Sequence, residues 1–181
     1  SMPLDTAKVQ REYDTSFSNT PVPPTSPDLS FFILDVDHFK TVNDVYGHTA
    51  GDQLLIQLSR LLTKACRESD CVVRWGGEEF LIVSRFADRE DAPMLAERIR
   101  ESIASHAFRM PDGSHLHKTC SIGYACFPFL RNSPDALTWE QVIDVADQAL
   151  YAAKKSGRNR SVGLAANTST EPRDLHQRMN Q

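Results

Sequence analysis

Residues 72–83, VVRWGGEEFLIV, carry two short apolar runs on either side of a Gly-Gly pair. Runs of this length bounded by glycine favour β-strands, and glycine joins hairpin strands well because it adopts positive φ without a Cβ clash. We therefore predict a hairpin with a tight two-residue turn at Gly76 and Gly77. Glu78 and Glu79 follow that turn directly.

Upstream of the hairpin, residues 31–36 (FFILDV) form an apolar run broken by one acid, which predicts a buried central strand. Residues 37–48 are polar with aromatic anchors and predict a short helix and a turn. Residues 50–66 place leucines at helical spacing, which predicts a helix with one apolar face.

Downstream of the hairpin, the pattern predicts a helix, a strand, a capped helix and a last short strand, over residues 91–105, 117–127, 138–155 and 160–164. Thr138 and Gln141 form a capping box, and Gly157 is a typical helix stop. Strands combined with helices and a hairpin predict an α+β fold, in which helices pack on a mostly antiparallel sheet.

The length of 181 residues suits one domain with short tails. We divide the chain into an N-terminal helix and Pro-rich connector that belong to the domain (1–29), a core (30–164) and a disordered polar tail (165–181).

Composition limits the classes of function. The net charge of −4 gives no basic excess for nucleic acid or a membrane surface. The four cysteines form no C-x-x-C pair and indicate no zinc site. Without a signal peptide or an apolar run of spanning length, this segment is expected in the cytoplasm, free of membrane contact. Regions N-terminal to it could still anchor a longer protein to a membrane.

The acidic residues carry the chemistry. Asp35 is costly at the end of a buried strand unless it is paired or bound to a metal. Asp37 follows on the same face if the strand continues, and Glu78 and Glu79 follow the glycines. Clustered carboxylate oxygens suit Mg²⁺, which shares phosphate oxygens with a substrate. The alternative is that Glu78 and Glu79 are solvated turn residues.

Three blocks of sequence together resemble the GGDEF domain of bacterial diguanylate cyclases. They are GGEEF at 76–80, DVDHFKTVND at 35–44 followed by GH at 47–48 and GD at 51–52, and ALYAAKKSGRNR at 149–160. The order and separation of the blocks make the resemblance much more specific than one five-residue match.

The resemblance implies a five-stranded, mostly antiparallel sheet of the nucleotidyl-cyclase or palm type, with a ferredoxin-like βαββαβ core. It implies a GTP-dependent nucleotidyltransferase that condenses two GTP into cyclic di-GMP and pyrophosphate. Mg²⁺, or Mn²⁺ in its place, would be the cofactor. Because each domain has one GTP site, catalysis would need a two-fold homodimer, either stable or transient.

The resemblance also implies roles for single residues. Metal ligands would be Asp35, Glu78 and the carbonyl of Val36, and catalytic side chains would be Glu78, Glu79 and Lys40. Substrate contacts would come from Phe39, Asn43, His48, Asp52, Lys154 and Arg158, with Asn43 and Asp52 on guanine. An inhibitory site for the product cyclic di-GMP would comprise Arg67, Asp70 and Arg98.

The chain departs from the family's usual opening, D-x-L-T-G-L-x-N-R-R-x-F, over residues 2–13, where only Leu4, Arg11 and Tyr13 fit. An alternative function is therefore a weak or inactive GGDEF domain that binds GTP or cyclic di-GMP as a signalling module. A class III-type cyclase that acts on one nucleotide is a second alternative. A structural α+β domain with ordinary surface acids is a third.

Overall fold

A computed structural model of the chain describes residues 28–166. The predicted N-terminal helix, most of the connector, the unusual opening motif and nearly all of the tail lie outside these residues.

The described residues contain seven strands and four α-helices. The strands are β1 (Asp28–Val36), β2 (Cys71–Arg74), β3 (Glu79–Ala87), β4 (Phe108–Arg109), β5 (His115–Leu116), β6 (Cys120–Phe127) and β7 (Arg160–Gly163). The helices are α1 (Phe39–Tyr46), α2 (His48–Ala65), α3 (Ala92–Ala104) and α4 (Trp139–Lys155). None of these helices is long and apolar enough to cross a bilayer.

Five strands form one sheet in the order β2-β3-β1-β6-β7, and only the β6–β7 pair is parallel. β4 and β5 form a separate two-stranded ribbon. This is the predicted α+β fold with a five-stranded, mostly antiparallel central sheet, and that prediction is confirmed.

β1 is the central strand, and all nine of its residues are buried. Because side chains alternate along a strand, Phe32 and Leu34 join the core cluster formed with α2 and α3. Phe31 and Ile33 join the opposite cluster, under α4. Burial of both faces explains why the sequence of β1 is a continuous apolar run rather than an alternating one.

α4 lies close to β6 because Gly123 has no side chain. A Cβ at Gly123 would lie 2.0 Å from the backbone nitrogen of Leu150. The predicted capping box is present, since Gln141 N donates to Thr138 Oγ1 over 3.2 Å and Thr138 N donates to Gln141 Oε1 over 2.9 Å. α4 ends at Lys155, and Gly157 follows with φ +125°.

The hairpin turn differs from the prediction. The last β2–β3 pair is Arg74 with Phe80, so five residues lie between the last paired positions, and neither Gly76 nor Gly77 has positive φ. The predicted two-residue turn is therefore wrong. The Trp75 and Gly76 N–H groups both donate to the carbonyl of Glu79, at 2.8 and 3.3 Å. Arg74 Nε also donates to the carbonyl of Gly77 over 3.1 Å, so side-chain bonds close a wider loop.

Two other differences concern the sheet. β1 begins at Asp28 rather than at residue 31, because the Asp28 carboxylate is buried against the Arg89 guanidinium and its charge is paired. The β4–β5 ribbon, with residues 110–114 between its strands, was not predicted. Strands of two residues are too short to leave a periodic pattern.

Candidate active site

Asp35 lies at the end of β1, directly opposite Glu79 of β3, and is only 7% exposed. Its Oδ2 accepts a hydrogen bond from Lys154 Nζ of α4. Its Oδ1 is buried and has no hydrogen-bond partner among the described residues. A buried carboxylate oxygen without a partner is unfavourable unless a cation or donor binds there.

Glu78 and Glu79 are half-buried and close enough to Asp35 to interact with its charge. Burial raises the pKa of Glu78, and the nearby Asp35 carboxylate raises it further, while Lys154 opposes both effects. Burial and the Asp35 carboxylate likewise raise the pKa of Glu79. Lys154 lowers this pKa, whereas the negative charges of Asp147 and Glu78 raise it further. The three carboxylates thus repel one another, and a bound cation would relieve that repulsion.

The residues present fit a divalent cation that also binds substrate oxygens. Within residues 28–166, no three or more His, Cys, Asp or Glu side chains are grouped so that they could hold a metal ion by themselves. On the β6 side of β1, Val36 still pairs with Cys120. On the β3 side, strand pairing stops one residue earlier, at Asp35 and Glu79. Mg²⁺ commonly uses one or two carboxylates and completes its shell with water and phosphate. The free Asp35 oxygen beside Glu78 is consistent with such an incomplete protein shell.

Asp37 has different surroundings from Asp35. Its Oδ1 accepts from Ser121 Oγ over 2.7 Å. Its Oδ2 accepts from Thr119 Oγ1 over 2.7 Å and from the Asn159 backbone N over 2.9 Å. Both oxygens are therefore engaged within the protein. The interpretation of Asp37 as one of the clustered metal-site acids finds no support in this geometry.

α1 begins two residues after Asp37, at the same end of the sheet. His38 precedes it in a left-handed conformation (φ 54°). The His38 side chain accepts no hydrogen bond from the first amide groups of α1, so these N–H groups have no side-chain cap. Phe39 is buried in the core, whereas Lys40 is exposed and lies 3.7 Å from Asp44. The helix start therefore combines amides without a side-chain cap with an exposed lysine, whose ion pair with Asp44 is also exposed.

The other predicted nucleotide contacts lie where α1 meets α2. Asn43 lies over Gly51, and a Cβ at Gly51 would come within 2.0 Å of Asn43 Oδ1. His48 is the first residue of α2, and Asp52 follows one turn later; both are exposed. Gly51 thus permits the close helix contact that positions the Asn43 amide.

Lys154 and Arg158 come from the end of α4 and the connection after it. Lys154 is the partner of Asp35, a contact that sequence reasoning did not predict. Arg158 is exposed and has φ +62°. The structure therefore brings Asp35, Glu78, Glu79 and Lys154 together, with Arg158 four residues beyond Lys154.

A cleft of about 240 Å³ is lined by Arg67, Asp70 and Arg98, the three residues predicted for inhibition. Arg67 Nη2 donates to Ser84 Oγ over 3.2 Å and to the Arg85 carbonyl over 2.7 Å. Its backbone N donates to Asp70 Oδ2 over 2.8 Å. Ser84 was not predicted, and no signal in the sequence marks it.

The family model described as "Diguanylate cyclase, GGDEF domain" matches residues 13–160, which is most of the chain. The chain therefore belongs to the GGDEF domain family, as the sequence blocks indicated.

Among individual proteins, the chain is 40% identical over 136 residues to diguanylate cyclase DosC of Escherichia coli K12, covering 75% of this chain and 28% of that protein. It is 37% identical over 132 residues to diguanylate cyclase A of Treponema denticola, covering 73% of this chain and 34% of that protein. The chain thus spans about a third or less of these relatives.

Solved structures agree with this assignment. The active GGEEF domain of a diguanylate cyclase from Vibrio cholerae superposes with TM-score 0.68 at 30% identity, covering 90% of each chain. The GGDEF domain of DgcB from Caulobacter crescentus, solved with c-di-GMP, superposes with TM-score 0.69 at 27% identity, covering 88% of this chain and 82% of that one.

Proposed function

We propose that this chain is the catalytic domain of a diguanylate cyclase, which condenses two GTP into cyclic di-GMP and pyrophosphate. The observation that carries the proposal is the free, buried Asp35 oxygen beside Glu78 and Glu79, in a chain of the GGDEF family. A buried carboxylate oxygen without a partner at the end of a central strand is costly for a purely structural domain.

The residues suited to hold Mg²⁺ are Asp35 and Glu78 through their carboxylates and Val36 through its carbonyl. Bound there, Mg²⁺ would lower the pKa of the attacking hydroxyl and stabilise negative charge on the leaving oxygens. Glu79 lies opposite Asp35 and has a raised pKa, so it is suited to accept the hydroxyl proton.

Guanine would be bound at the contact of α1 and α2. The Asp52 carboxylate can accept from the N1–H and N2–H₂ donors of guanine, and the Asn43 amide can pair with the base edge. His48, at the start of α2, would lie against the substrate. The exposure of His48 and Asp52 leaves both side chains available to a ligand.

The triphosphate would lie between the start of α1 and the end of α4. The uncapped amides at Phe39 and Lys40 and the positive end of the helix dipole favour phosphate. The Lys40 ammonium would offset charge on the reacting phosphate, and Lys154 and Arg158 would bind phosphate oxygens. Since the C-terminus of α4 repels anions, these two side chains must supply that attraction.

In the reaction, the 3′-oxygen of one GTP forms a bond to the α-phosphorus of the other. The bond between that phosphorus and the bridging oxygen to the β-phosphorus breaks, pyrophosphate leaves with the bond electrons, and the hydroxyl proton passes to a base. The same step in the opposite direction closes the ring. Such transfer depends on positioning and charge stabilisation.

Two GTP sites must face each other for this chemistry, so we propose activity only in a two-fold dimer, with a transient interface allowed. Diluting the enzyme should then reduce the initial rate more steeply than in proportion to its concentration. A rate strictly proportional to enzyme down to nanomolar concentration would contradict the dimer.

We also propose that the cleft at Arg67, Asp70 and Arg98 binds cyclic di-GMP and inhibits the enzyme. The two guanidinium groups suit phosphate or the guanine edge, and the Asp70 carboxylate suits guanine donors. Support comes from the lining of one cleft by all three side chains.

Incubation with GTP and Mg²⁺, followed by chromatography of the nucleotides, tests the proposed function. Cyclic di-GMP should form with Mg²⁺ or Mn²⁺, and none should form when EDTA is added. Nucleotide binding without any product would instead favour the signalling-module alternative, and a single-nucleotide cyclic product would favour a class III-type reaction.

A further inference from the structure

The connection between α4 and β7 passes through three successive residues with positive φ. Gly157 has φ +125°, Arg158 has +62° and Asn159 has +45°. Glycine adopts this region freely, but the Cβ of an L residue makes it unfavourable. Arg158 and Asn159 therefore need contacts that hold them in this conformation.

Two such contacts converge on Asn159. Its backbone N–H donates to Asp37 Oδ2 over 2.9 Å, and its side-chain Oδ1 accepts from Arg100 Nη1 over 2.9 Å. The contact to Asp37 is a charge-assisted bond to a buried carboxylate, the stronger kind of hydrogen bond. It fixes the backbone directly after Arg158.

Asp37 is itself fixed on the sheet. It is 4% exposed, and its carboxylate also accepts from Thr119 and from Ser121, which is fully buried. Its backbone N donates to the Thr119 carbonyl over 2.9 Å. This carboxylate is therefore a rigid attachment point, two residues from Asp35.

Arg158 is the side chain that this attachment directs. Its guanidinium is exposed, four residues after Lys154, which contacts Asp35. Because the backbone bends at Arg158 itself, a change in that bend would redirect the guanidinium relative to the edge where Asp35 lies. Arg158 N also donates to the Ala153 carbonyl over 3.0 Å, and its carbonyl accepts from Arg160 Nε over 3.1 Å. The bond made by Asn159 adds the attachment to the sheet.

We infer that Asp37 is a positioning residue, which orients Arg158 toward the triphosphate of GTP by holding the bend at Arg158 and Asn159. The inference rests on the proposed function. It separates the two aspartates of the D-x-D motif, with Asp35 facing the reaction and Asp37 acting through Arg158.

The test measures binding by calorimetry with Mg²⁺, using two probes. One is a GTP analogue with a methylene group between the α- and β-phosphorus, which cannot be condensed, and the other is GMP. The wild-type chain should bind the analogue more tightly than GMP, and the ratio of the two affinities is its preference. Asp37→Ala should reduce this preference about tenfold, as should Arg158→Ala. The double variant should lose no more than Arg158→Ala alone, since both act through one contact.

Two variants of Asn159 keep the test independent of the buried carboxylate. Asn159→Pro removes the N–H and forces a negative φ, so it should reduce the preference as Asp37→Ala does, even if the latter fails to fold. Asn159→Gly keeps the N–H and the left-handed backbone and should retain a preference within about twofold of wild type.

The outcomes separate the two proposals. Folded Asp37→Ala or Asn159→Pro protein with the wild-type preference would overturn the positioning role, as would equal loss of affinity for both probes, which indicates a merely structural role. A wild-type chain that binds neither probe and forms no cyclic di-GMP would overturn the proposed function itself, and the positioning role with it.

Discussion

At the scale of single residues, two aspartates of one motif have opposite surroundings. Asp35 has a buried oxygen without a partner among the described residues, whereas three donors occupy the carboxylate of Asp37. The sequence predicts that acids at this strand end matter, but it cannot separate the two. The partners of Asp37 lie 82 to 122 residues away, and only folding brings them together.

Gly77 gives a prediction at this scale. A Cβ there would meet no atom within 4 Å, and its φ is not in the left-handed region. Gly77→Ala should therefore change the free energy of unfolding by less than about 1 kcal/mol. It should reduce turnover of GTP about tenfold or more, because the added methyl group enters space beside Glu78 that the substrate would occupy. Denaturation and product assays on the same sample measure both effects.

Gly113 provides the matched control, since it lies between β4 and β5 with φ +85°. Gly113→Ala should destabilise the fold by about 1 kcal/mol and leave the turnover per folded enzyme unchanged. Unaltered turnover in Gly77→Ala would show that substrate does not approach this loop.

At the scale of secondary structure elements, the contact of α4 with β6 decides where Lys154 and Arg158 lie. Gly123→Ala would place a Cβ 2.0 Å from the Leu150 backbone nitrogen, which cannot rotate away. We expect a loss of about 3 kcal/mol in the free energy of unfolding, with lower affinity for GTP as α4 shifts. Urea denaturation measures the loss.

Gly163→Ala is the comparison for this contact. Its Cβ would meet the ring of Tyr124, a half-buried side chain that can move. A smaller loss than that of Gly123→Ala is therefore expected. Equal stability of Gly123→Ala and wild type would contradict the close packing of α4 on the sheet.

Helices were the elements best predicted from sequence. The capping box and Gly157 fix both ends of α4, and leucine spacing locates α2. The hairpin strands were also predicted, but their turn was not. Its shape depends on hydrogen bonds from Arg74 to loop carbonyls, and no local glycine pattern encodes those bonds. Local signals therefore gave the elements, and side-chain contacts decided how they connect.

At the scale of the whole molecule, the buried Asp28 carboxylate pairs with two arginines and so joins three distant segments. Asp28 of β1 accepts from Arg89, after β3, and from Arg131, after β6. Burial raises the pKa of Asp28, but the hydrogen bonds from Arg89 and Arg131 outweigh it and hold the pKa below its usual 3.8. The stabilisation is therefore present above pH 3.8 and is lost as pH falls through the lowered value.

Asp28→Asn tests this linkage. At pH 7 the variant should be less stable by about 3 kcal/mol, since it leaves buried guanidinium charge uncompensated. Between about pH 5 and pH 2 the wild type should lose more stability than the variant. Urea midpoints across that range measure the difference, and parallel curves for the two proteins would argue against the ion pair.

The separation of the Asp35 site from the cleft at Arg67, Asp70 and Arg98 gives a further prediction at this scale. Arg67→Ala removes a guanidinium from the cleft that we propose for cyclic di-GMP, at a distance from the reaction. It should raise the concentration of cyclic di-GMP needed for half-inhibition about tenfold, while the uninhibited rate stays unchanged. Arg60→Ala, an exposed position on α2 outside that cleft, is the control. Unchanged inhibition of Arg67→Ala by cyclic di-GMP would contradict the proposal that this cleft is the inhibitory site.

The central claim is that Asp35 and Glu78 share one divalent ion. Electron paramagnetic resonance of Mn²⁺, titrated into the chain with the methylene GTP analogue, measures that ion without turnover. We predict one tightly held Mn²⁺ per chain in the wild type, and affinity lowered about tenfold or more in both Asp35→Ala and Glu78→Gln. The exposed Asp144→Asn should bind as wild type does. Undiminished Mn²⁺ affinity in Asp35→Ala would contradict the account.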